Sequence, residues 1–475
     1  MALRNRIPDV ASNYMDPMRG INLVASPEDL EDGEALKLGN CYFWNGVRKR
    51  EGSVRITPTA ISTTRVVGGH KFYYGSGLSR RLVAYSTNIS SVSDTGAAIV
   101  LTSGMTAGRE TFFVTWSITD KVYISNGTDK LFEYNGSVFQ SVDGLVGAVN
   151  VPNGCTKVVP VLDRLFAITS AGLIERTNPR VAHIWSSNST WATFRPQFGG
   201  PFTALAPHTL RSVNGDLFPG AIACQANAMY MITGTNYGAD VTAASPPTGE
   251  DGTIKLIDPR VGTSSPRSVV TVPGIGIFGV SSDLNVWHLP FGSSSPIIMG
   301  DKIRSTGDIP GLESANRNQL DKIWMVYHDR KLILGFPTGA DNFCSRYFWL
   351  DIRALTANPD LGYVWTGPHT GFTVNHVWTE NQNGENSLVA GEGSVTHGAF
   401  VYRLLQQGTY TDAVGLTNVP VVLDYQTYFK DFEHPSHFKY LRGVRVDTNQ
   451  FTGDALLSVY DLFGVRQADI PIIRS

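Results

Sequence analysis

Short runs of apolar residues alternate with turn residues along most of the chain. Asn-Gly pairs begin at Asn45, Asn126, Asn135, Asn153, Asn214 and Asn383, and Asp-Gly pairs at Asp32, Asp143 and Asp251. Asn and Gly accept the positive φ angles of tight hairpin turns, whose twist matches that of paired strands. The clearest unit is 121–140, where two Asn-Gly turns separate three apolar runs. This spacing predicts three antiparallel strands and leaves no room for a helix.

Similar hairpin-sized pieces recur at irregular intervals. They lie at 71–85, 164–174, 228–234, 285–289 and 331–351. Their spacing, roughly 40 to 60 residues, is close to the length of a β-propeller blade. The pattern therefore predicts an all-β protein with a β-propeller core. The number of blades stays open because no clean sequence repeat is present.

Helical periodicity is scarce. The stretch 311–324 fits one short helix, and Ser26, followed by Pro27 and two acidic residues, fits a capped turn.

Changes of pattern predict the domain boundaries. Residues 1–60 form a polar, extended N-terminal segment, and 61–383 hold the propeller blades. From 384 to 475 the expected strands are longer and alternate more regularly, at 419–429, 441–446 and 455–462. This favours a β-sandwich-like extra module at the C-terminus, which could also contribute a closing blade. The stretch 238–252 fits an exposed loop.

The charge balance argues against a dedicated nucleic-acid or membrane-surface binder. The chain has 39 basic and 41 acidic residues, a net charge of −2, whereas such binders carry a strong basic excess. Its four cysteines are far apart and favour buried, reduced thiols over zinc or disulfides. Residues 1–8 lack the apolar core of a signal peptide, and no segment fits a membrane helix. We therefore expect synthesis in a cytoplasm.

Motifs that could carry chemistry are weak. Residues 273–279 contain Gly-x-Gly-x-x-Gly, but a turn and a strand follow where a dinucleotide site needs a helix, which favours a glycine-kinked hairpin. Residues 431–437 gather two histidines and two carboxylates, but Pro435 favours a surface loop over a metal site. Gly-x-Ser-x-Gly does not occur. We predict no catalytic residue, cofactor or metal, and no enzymatic activity.

The N-terminal segment carries a more specific pattern. It comprises Gly20-Ile21-Asn22-Leu23, Ser26-Pro27-Glu28-Asp29-Leu30, Gly33-Glu34-Ala35, Asn40, and Asn45-Gly46-Val47-Arg48-Lys49-Arg50-Glu51-Gly52. This order resembles the opening of the nozzle, or packaged-DNA stabilisation, proteins of short-tailed bacteriophage tails. Glu51 departs from the proline common at that position. Weaker likeness continues at 122–129, 164–167, 178–186 and 391–403.

The resemblance implies a virion protein with a defined place in the tail. Such a protein forms a homo-oligomeric ring, expected to be a hexamer, below the portal and adaptor. The ring extends the channel that retains the packaged DNA and conducts it during ejection, without sequence-specific binding and without a membrane. The candidate assembly contacts are Glu28, Asp29, Glu34, Arg48, Lys49 and Arg50, and the basic run 48–50 is otherwise typical of a solvated strand end.

Two other functions remain open from the sequence. One is a receptor- or carbohydrate-binding tail protein built on a propeller. The other is a glycosidase or depolymerase, which needs two carboxylates facing each other across a cleft.

Overall fold

The structure is a computed structural model of the chain. It describes residues 17–26, 29–43, 47–75, 77–185, 200–211, 217–233, 253–305, 307, 309–357, 362–382, 384–427, 455–460 and 466–472. Strands dominate these residues, and their α-helical part is one short helix, Ile352–Ala357. The predicted all-β class is confirmed.

Seven antiparallel sheets, here called blades 1 to 7, form the body of the protein. Blade 1 has strands Val66–Tyr74, Leu78–Tyr85, Asn88–Val92 and Ala98–Thr102, and blade 2 has Phe112–Trp116, Lys121–Ser125, Phe132–Tyr134 and Phe139–Ser141. Blade 3 has three described strands, Lys157–Val161, Arg164–Ile168 and Ile174–Arg176, and blade 4 has Ala204–Arg211, Leu217–Cys224, Met229–Thr233 and Thr253–Asp258. Blade 5 has Val270–Val272, Gly276–Val280, Val286–Pro290 and Ile297–Ile298, and blade 6 has Trp324–His328, Lys331–Phe336, Arg346–Asp351 and Trp365–His369. Blade 7 has Val374–Gln382, Glu385–Glu392, Val401–Gln406 and Gly52–Arg55.

The first strand of each blade contacts the first strand of the next, and Val374–Gln382 of blade 7 contacts Val66–Tyr74 of blade 1. This closed ring of radially arranged sheets is a seven-bladed β-propeller. The predicted propeller core is confirmed, and so is the hairpin unit at 121–140, whose strands pair in blade 2.

The apolar cores lie between adjacent blades. Between blades 1 and 2, for example, Phe72 and Leu82 pack with Ile124 and Tyr134. Equivalent clusters fill the other junctions, including the one between blades 7 and 1, where Val83 packs with Trp378 and Val401. Because each blade buries both faces against its neighbours, its inner strands have almost no exposed apolar side chain.

Blade 7 combines the two ends of the propeller sequence. Its outermost strand is Gly52–Arg55, which pairs antiparallel with Val401–Gln406. The expected boundaries at 60/61 and 383/384 are therefore corrected, since residues from all three predicted regions hydrogen-bond in one sheet.

The N-terminal segment forms a small sheet against blade 6. Strand Glu34–Gly39 pairs in parallel with Gly20–Ile21 and antiparallel with Asp424–Thr427. Ile21, Ala35 and Leu38 join the core between blades 5 and 6. Gly20 has a φ of +77°, and a Cβ there would lie 2.3 Å from the carbonyl oxygen of Trp365, so only glycine fits.

The remaining described elements are short. They are strands Cys41–Phe43, Val47–Lys49, Thr411–Val414, Thr417–Pro420, Ala455–Tyr460 and Arg466–Ile472, and 3₁₀ turns Val142–Gly144, Asp301–Ile303, Leu312–Ser314 and Arg317–Lys322.

Two predictions of local structure are wrong. The helix expected at 311–324 is two 3₁₀ segments, because Ala315 and Asn316 between them have non-helical dihedral angles and Gln319 kinks the second segment. The β-sandwich-like module expected from 384 onward is absent among the described residues, whose strands there belong to four different sheets. Glu385–Glu392 and Val401–Gln406 lie in blade 7, in line with the alternative that this region contributes a closing blade. Instead of the single strand expected at 419–429, two short strands, Thr417–Pro420 and Asp424–Thr427, pair in different sheets. The predictions for 441–446 and 238–252 fall outside the described residues.

A buried ion pair connects the N-terminal segment to the chain beyond blade 7. The Arg50 guanidinium is fully buried and donates two hydrogen bonds to the Asp412 carboxylate, one of them at 3.0 Å. It also donates to Asn40 Oδ1 at 2.9 Å and to the carbonyl oxygen of Thr370. The guanidinium lies 4.3 Å from the centre of the Phe372 ring. With a further bond to the carbonyl oxygen of Glu51 at 3.0 Å, all five N–H groups of the guanidinium are used within the chain.

We expect Arg50→Met to lower the free energy of unfolding by about 3–5 kcal/mol, because it leaves the buried Asp412 carboxylate without its counter-charge. Chemical denaturation measures the change. Arg48→Met, two residues away on an exposed position, is the matched control and should change stability by less than about 0.5 kcal/mol. Adding Asp412→Leu to Arg50→Met should restore more than half of the loss. Equal effects of the Arg48 and Arg50 variants would contradict this account.

Candidate functional site at the start of the inner strands

Six of the seven blades place a polar side chain at or close to the start of their innermost strand. These residues are Arg65, Glu110, Lys157, Arg267, Lys322 and Asn375. The starts of the inner strands surround the propeller axis, so closure of the ring gathers side chains that are far apart in sequence. We call this set the axial cluster.

Glu110 is the centre of the axial cluster. Its carboxylate lies 2.9 Å from Lys322 Nζ, 3.2 Å from Arg267 Nη1 and 3.7 Å from Arg65 Nη2. Asn375 Nδ2 donates to the same carboxylate at 3.1 Å. Burial alone would raise the pKa of Glu110, but the neighbouring Arg267 and Lys322 charges outweigh it and hold the pKa below its usual value.

Arg267 connects several blades at the axis. Besides Glu110, its guanidinium donates to the carbonyl oxygens of Asn375 and, at 3.3 Å, Asp321. The side chain is 5% exposed, and its Nε has no hydrogen-bond partner. Ser265, two residues earlier, accepts from the Arg267 backbone N–H at 3.3 Å and so fixes the turn that carries it.

A cavity of about 170 Å³ adjoins the axial cluster. Phe112, Lys157, Pro266, Arg267, Val269, Trp324, Met325, His376 and Val377 line it. Lys157 Nζ donates to the carbonyl oxygen of Pro266 at 2.5 Å, and burial lowers the pKa of Lys157 to about 8. Burial, together with the Arg267 charge, lowers the pKa of His376 to about 3, so this imidazole is neutral near pH 7.

The six candidate assembly contacts from the sequence do not form one site. Glu28 lies outside the described residues. Asp29 is exposed and accepts from Ser26 Oγ at 2.7 Å. Glu34 is 2% exposed and contacts Lys302 Nζ at 2.7 Å. Because Glu34 is buried and pairs with Lys302 of the same chain, the prediction that it contacts another subunit is corrected.

The basic run 48–50 is also divided by the structure. Arg48 is exposed, and Lys49 is partly buried with its ammonium 5.7 Å from the centre of the Tyr410 ring. Arg50 is buried in the ion pair with Asp412. It is therefore neither a solvated strand end nor available to an outside partner. The strand Val47–Lys49 ends before Arg50, whose side chain is held inside by Asp412 and Asn40.

The weak motifs have structural roles where they are described. Gly276–Val280 pairs with Val270–Val272 as the glycine-kinked hairpin expected for 273–279. The histidine-rich stretch 431–437 lies outside the described residues. All four cysteines are buried and free, as expected. Across the described part of the chain, no group of His, Cys, Asp and Glu is arranged to hold a metal ion, and no helix there has the length and apolarity to cross a membrane.

No sequence motif indicates the axial cluster. Its successive members lie one blade apart, or two blades apart for Lys157 and Arg267. The available signal was a polar residue immediately before or at the start of an apolar strand, as in Arg65 before Val66 and Lys157 before Val158. Recognising that signal requires the strand order within each blade, which the irregular spacing concealed.

Comparison with known proteins gives similarities of fold only. No protein-family model and no curated protein sequence matches the chain. Among solved structures, the chain is similar to virginiamycin B lyase from Staphylococcus aureus at 10% identity and a TM-score of 0.45, covering 74% of this chain and 98% of that one. It is similar to BBS1N, solved in complex with ARL6DN, at 13% identity and a TM-score of 0.42, covering 76% and 99%. YCF48 from Cyanidioschyzon merolae is 10% identical with a TM-score of 0.41, covering 75% and 100%. At these values the likeness carries no information on activity, ligands or partners.

We expect His376 to make the protein less stable as the pH falls. Above pH 6.5 its imidazole is neutral in both the folded and unfolded chain. Between pH 6.5 and about 3 the unfolded chain binds a proton that the folded chain does not. The free energy of unfolding therefore decreases as the pH is lowered through this range. His376→Gln should therefore reduce the slope of unfolding free energy against pH by about 1 kcal/mol per pH unit near pH 5. Urea denaturation at pH 7, 6 and 5 tests this, and an unchanged slope would show that His376 titrates normally in the folded chain.

Proposed function

We propose that the chain is a structural subunit of a phage tail, which assembles with copies of itself into a ring-shaped nozzle. In this proposal the ring continues the portal–adaptor channel, retains the packaged DNA and conducts it during ejection. The protein would then be a virion component, with the portal or adaptor and other tail proteins as its neighbours.

The observation that carries the proposal is a pair of exposed, uncharged edges on adjacent blades. Residues 95–108 contain no charged side chain, and neither do 413–423. The first stretch holds the outermost strand of blade 1, with Ile99 65% exposed and Val100 53% exposed. The second holds the hairpin beside blade 7, with Leu416 71% exposed and Val422 67% exposed.

These two edges lie on either side of the strand that closes the propeller. Arg55 donates to the carbonyl oxygens of Gly415 and Thr417, at 2.9 and 3.1 Å, and so holds the hairpin against the closing strand. On the other side, Gly96 packs so closely that a Cβ would lie 2.5 Å from the carbonyl oxygen of Ile56. Free edge strands usually carry charges that prevent pairing with another chain. Their absence from both stretches favours a surface covered by a partner.

A second copy of the chain is the partner that the proposal requires. A ring repeats one heterologous interface until it closes, so one apolar edge of each subunit meets a different surface of the next. The propeller's own axis contains the axial cluster and a cavity of about 170 Å³, which is far too small for duplex DNA. A DNA channel would therefore run between subunits. A net charge of −2 is compatible with a channel wall that does not hold DNA tightly.

A structural role is also favoured over the glycosidase alternative. Of the six described side chains in the axial cluster, Glu110 alone is a carboxylate, and it is already paired with three cations. A glycosidase needs a second carboxylate facing the first.

The proposal predicts that the purified full-length chain forms rings with an open central channel. Light scattering after size-exclusion chromatography and negative-stain microscopy measure this directly. The variants Ile99→Lys and Leu416→Lys should each shift the population to smaller species without lowering the melting temperature, because both side chains are already exposed. Val146→Lys is the matched control, since Val146 is 98% exposed but lies after blade 2. A monomer at all concentrations would contradict the proposal. Trimeric spikes that bind glycans would support the receptor-binding alternative instead.

A further inference from the structure

The axial cluster has more positive than negative charge. Arg65, Arg267 and Lys322 share one partly buried carboxylate, that of Glu110. Lys157 lies beside them in the lining of the cavity and bonds to the residue before Arg267. Asp321 also contacts Lys322, at 3.1 Å, but its side chain is 54% exposed and therefore screened by solvent. The histidine that lines the cavity, His376, is neutral near pH 7. Even when Asp321 is counted with Glu110, four cations stand against two carboxylates, which leaves an excess of positive charge in this partly buried space.

Lys157 is the cation least compensated by protein groups. Its described hydrogen-bond partner is a backbone carbonyl oxygen, that of Pro266, and no carboxylate is paired with it among the described residues. Lys157 is partly buried, and removing an ammonium group from water is costly unless a counter-charge accompanies it. The Lys157 side chain also lines the cavity. The Lys157 ammonium therefore borders the cavity without a described protein counter-charge.

Other donors around the cavity lack partners as well. Arg267 Nε and the indole Nε1 of Trp324 have no hydrogen-bond partner, although both side chains line the cavity and are more than nine-tenths buried. Buried donors of this kind normally bond to protein or to a bound species. Phe112, Val269 and Met325 complete the wall with apolar surface, which lowers the local dielectric and strengthens attraction between opposite charges.

We propose that the axial cavity binds a small oxyanion, of the size and charge of inorganic phosphate. A cavity of about 170 Å³ accommodates one such ion with its ordered water. Lys157 supplies a point charge, and Arg267, which follows the Pro266 bonded to Lys157, supplies a second cation with an unpartnered Nε. The bound ion would neutralise charges contributed by blades 3, 5 and 6 and so hold their inner strands together. This site is separate from the exposed edges on which ring assembly depends.

Thermal unfolding and isothermal titration calorimetry with inorganic phosphate at pH 7 test the proposal, with sodium chloride at equal ionic strength as the reference. We expect phosphate to raise the melting temperature saturably, since a ligand that binds only the folded chain stabilises it. Lys157→Met should weaken phosphate binding about tenfold or more, as expected for loss of a charge-assisted hydrogen bond. Lys130→Met is the matched control, because Lys130 is exposed and pairs with Asp143, and it should bind phosphate like the unchanged protein.

Glu110→Gln is an independent test, because it should change the affinity for phosphate in the direction opposite to Lys157→Met. Removing the carboxylate increases the net positive charge beside the cavity, so phosphate should bind more tightly. The proposal would be overturned if phosphate stabilised the protein no more than chloride does. Equal phosphate affinity in the unchanged protein and the Lys157→Met variant would also overturn it. A short single-stranded oligonucleotide should not compete with phosphate, because the cavity is too small to admit it; competition would place the anion site on the surface instead.

Discussion

The pairing of Gly52–Arg55 with Val401–Gln406 is the constraint on which the rest of the structure depends. A propeller of separate sheets becomes one cooperative body only when its last blade contacts its first. Here the last blade is completed by a strand from the opposite end of the propeller sequence. Gly52 allows this pairing because a Cβ would lie 2.0 Å from the carbonyl oxygen of Thr411. Ser53 Oγ accepts from the Ala413 backbone N–H at 2.8 Å, and Arg50 bonds to Asp412, so the chain beyond blade 7 is held at the same place.

The axial cluster and the exposed edges both follow from this closure. Asn375 of blade 7 reaches Glu110, at the start of blade 2, only because blade 7 adjoins blade 1, whose Arg65 contacts the same carboxylate. The uncharged edges flank the closing strand on its two sides. Closure therefore creates an inner face rich in positive charge and an outer rim that is apolar. The two faces suit different partners, a small anion inside and another protein surface outside.

The sequence was sufficient for the fold class but not for the site. Hairpin turns such as Asn126-Gly127 depend on local backbone preference, so the strands of blade 2 could be predicted from neighbouring residues. The partners of Arg50 and Glu110 could not, because they are brought together by contacts across 362 residues for Arg50 and Asp412 and 265 for Glu110 and Asn375. Several residues of the N-terminal pattern have roles in the packing of this chain itself. Gly20, Asn40, Arg50 and Gly52 are required by packing and hydrogen bonds within the chain, so these four positions of the pattern have a structural explanation of their own.

Native-state hydrogen exchange followed by mass spectrometry tests the central claim that the closing strand belongs to the cooperative body. If it does, the hydrogen-bonded amides of 52–55 and 401–406 should exchange through the same global opening as those of the inner strand 66–74, with the same opening free energy. If 52–55 instead exchanges by a local opening of much lower free energy, while 66–74 stays protected, the propeller is closed without the N-terminal strand and the account is wrong.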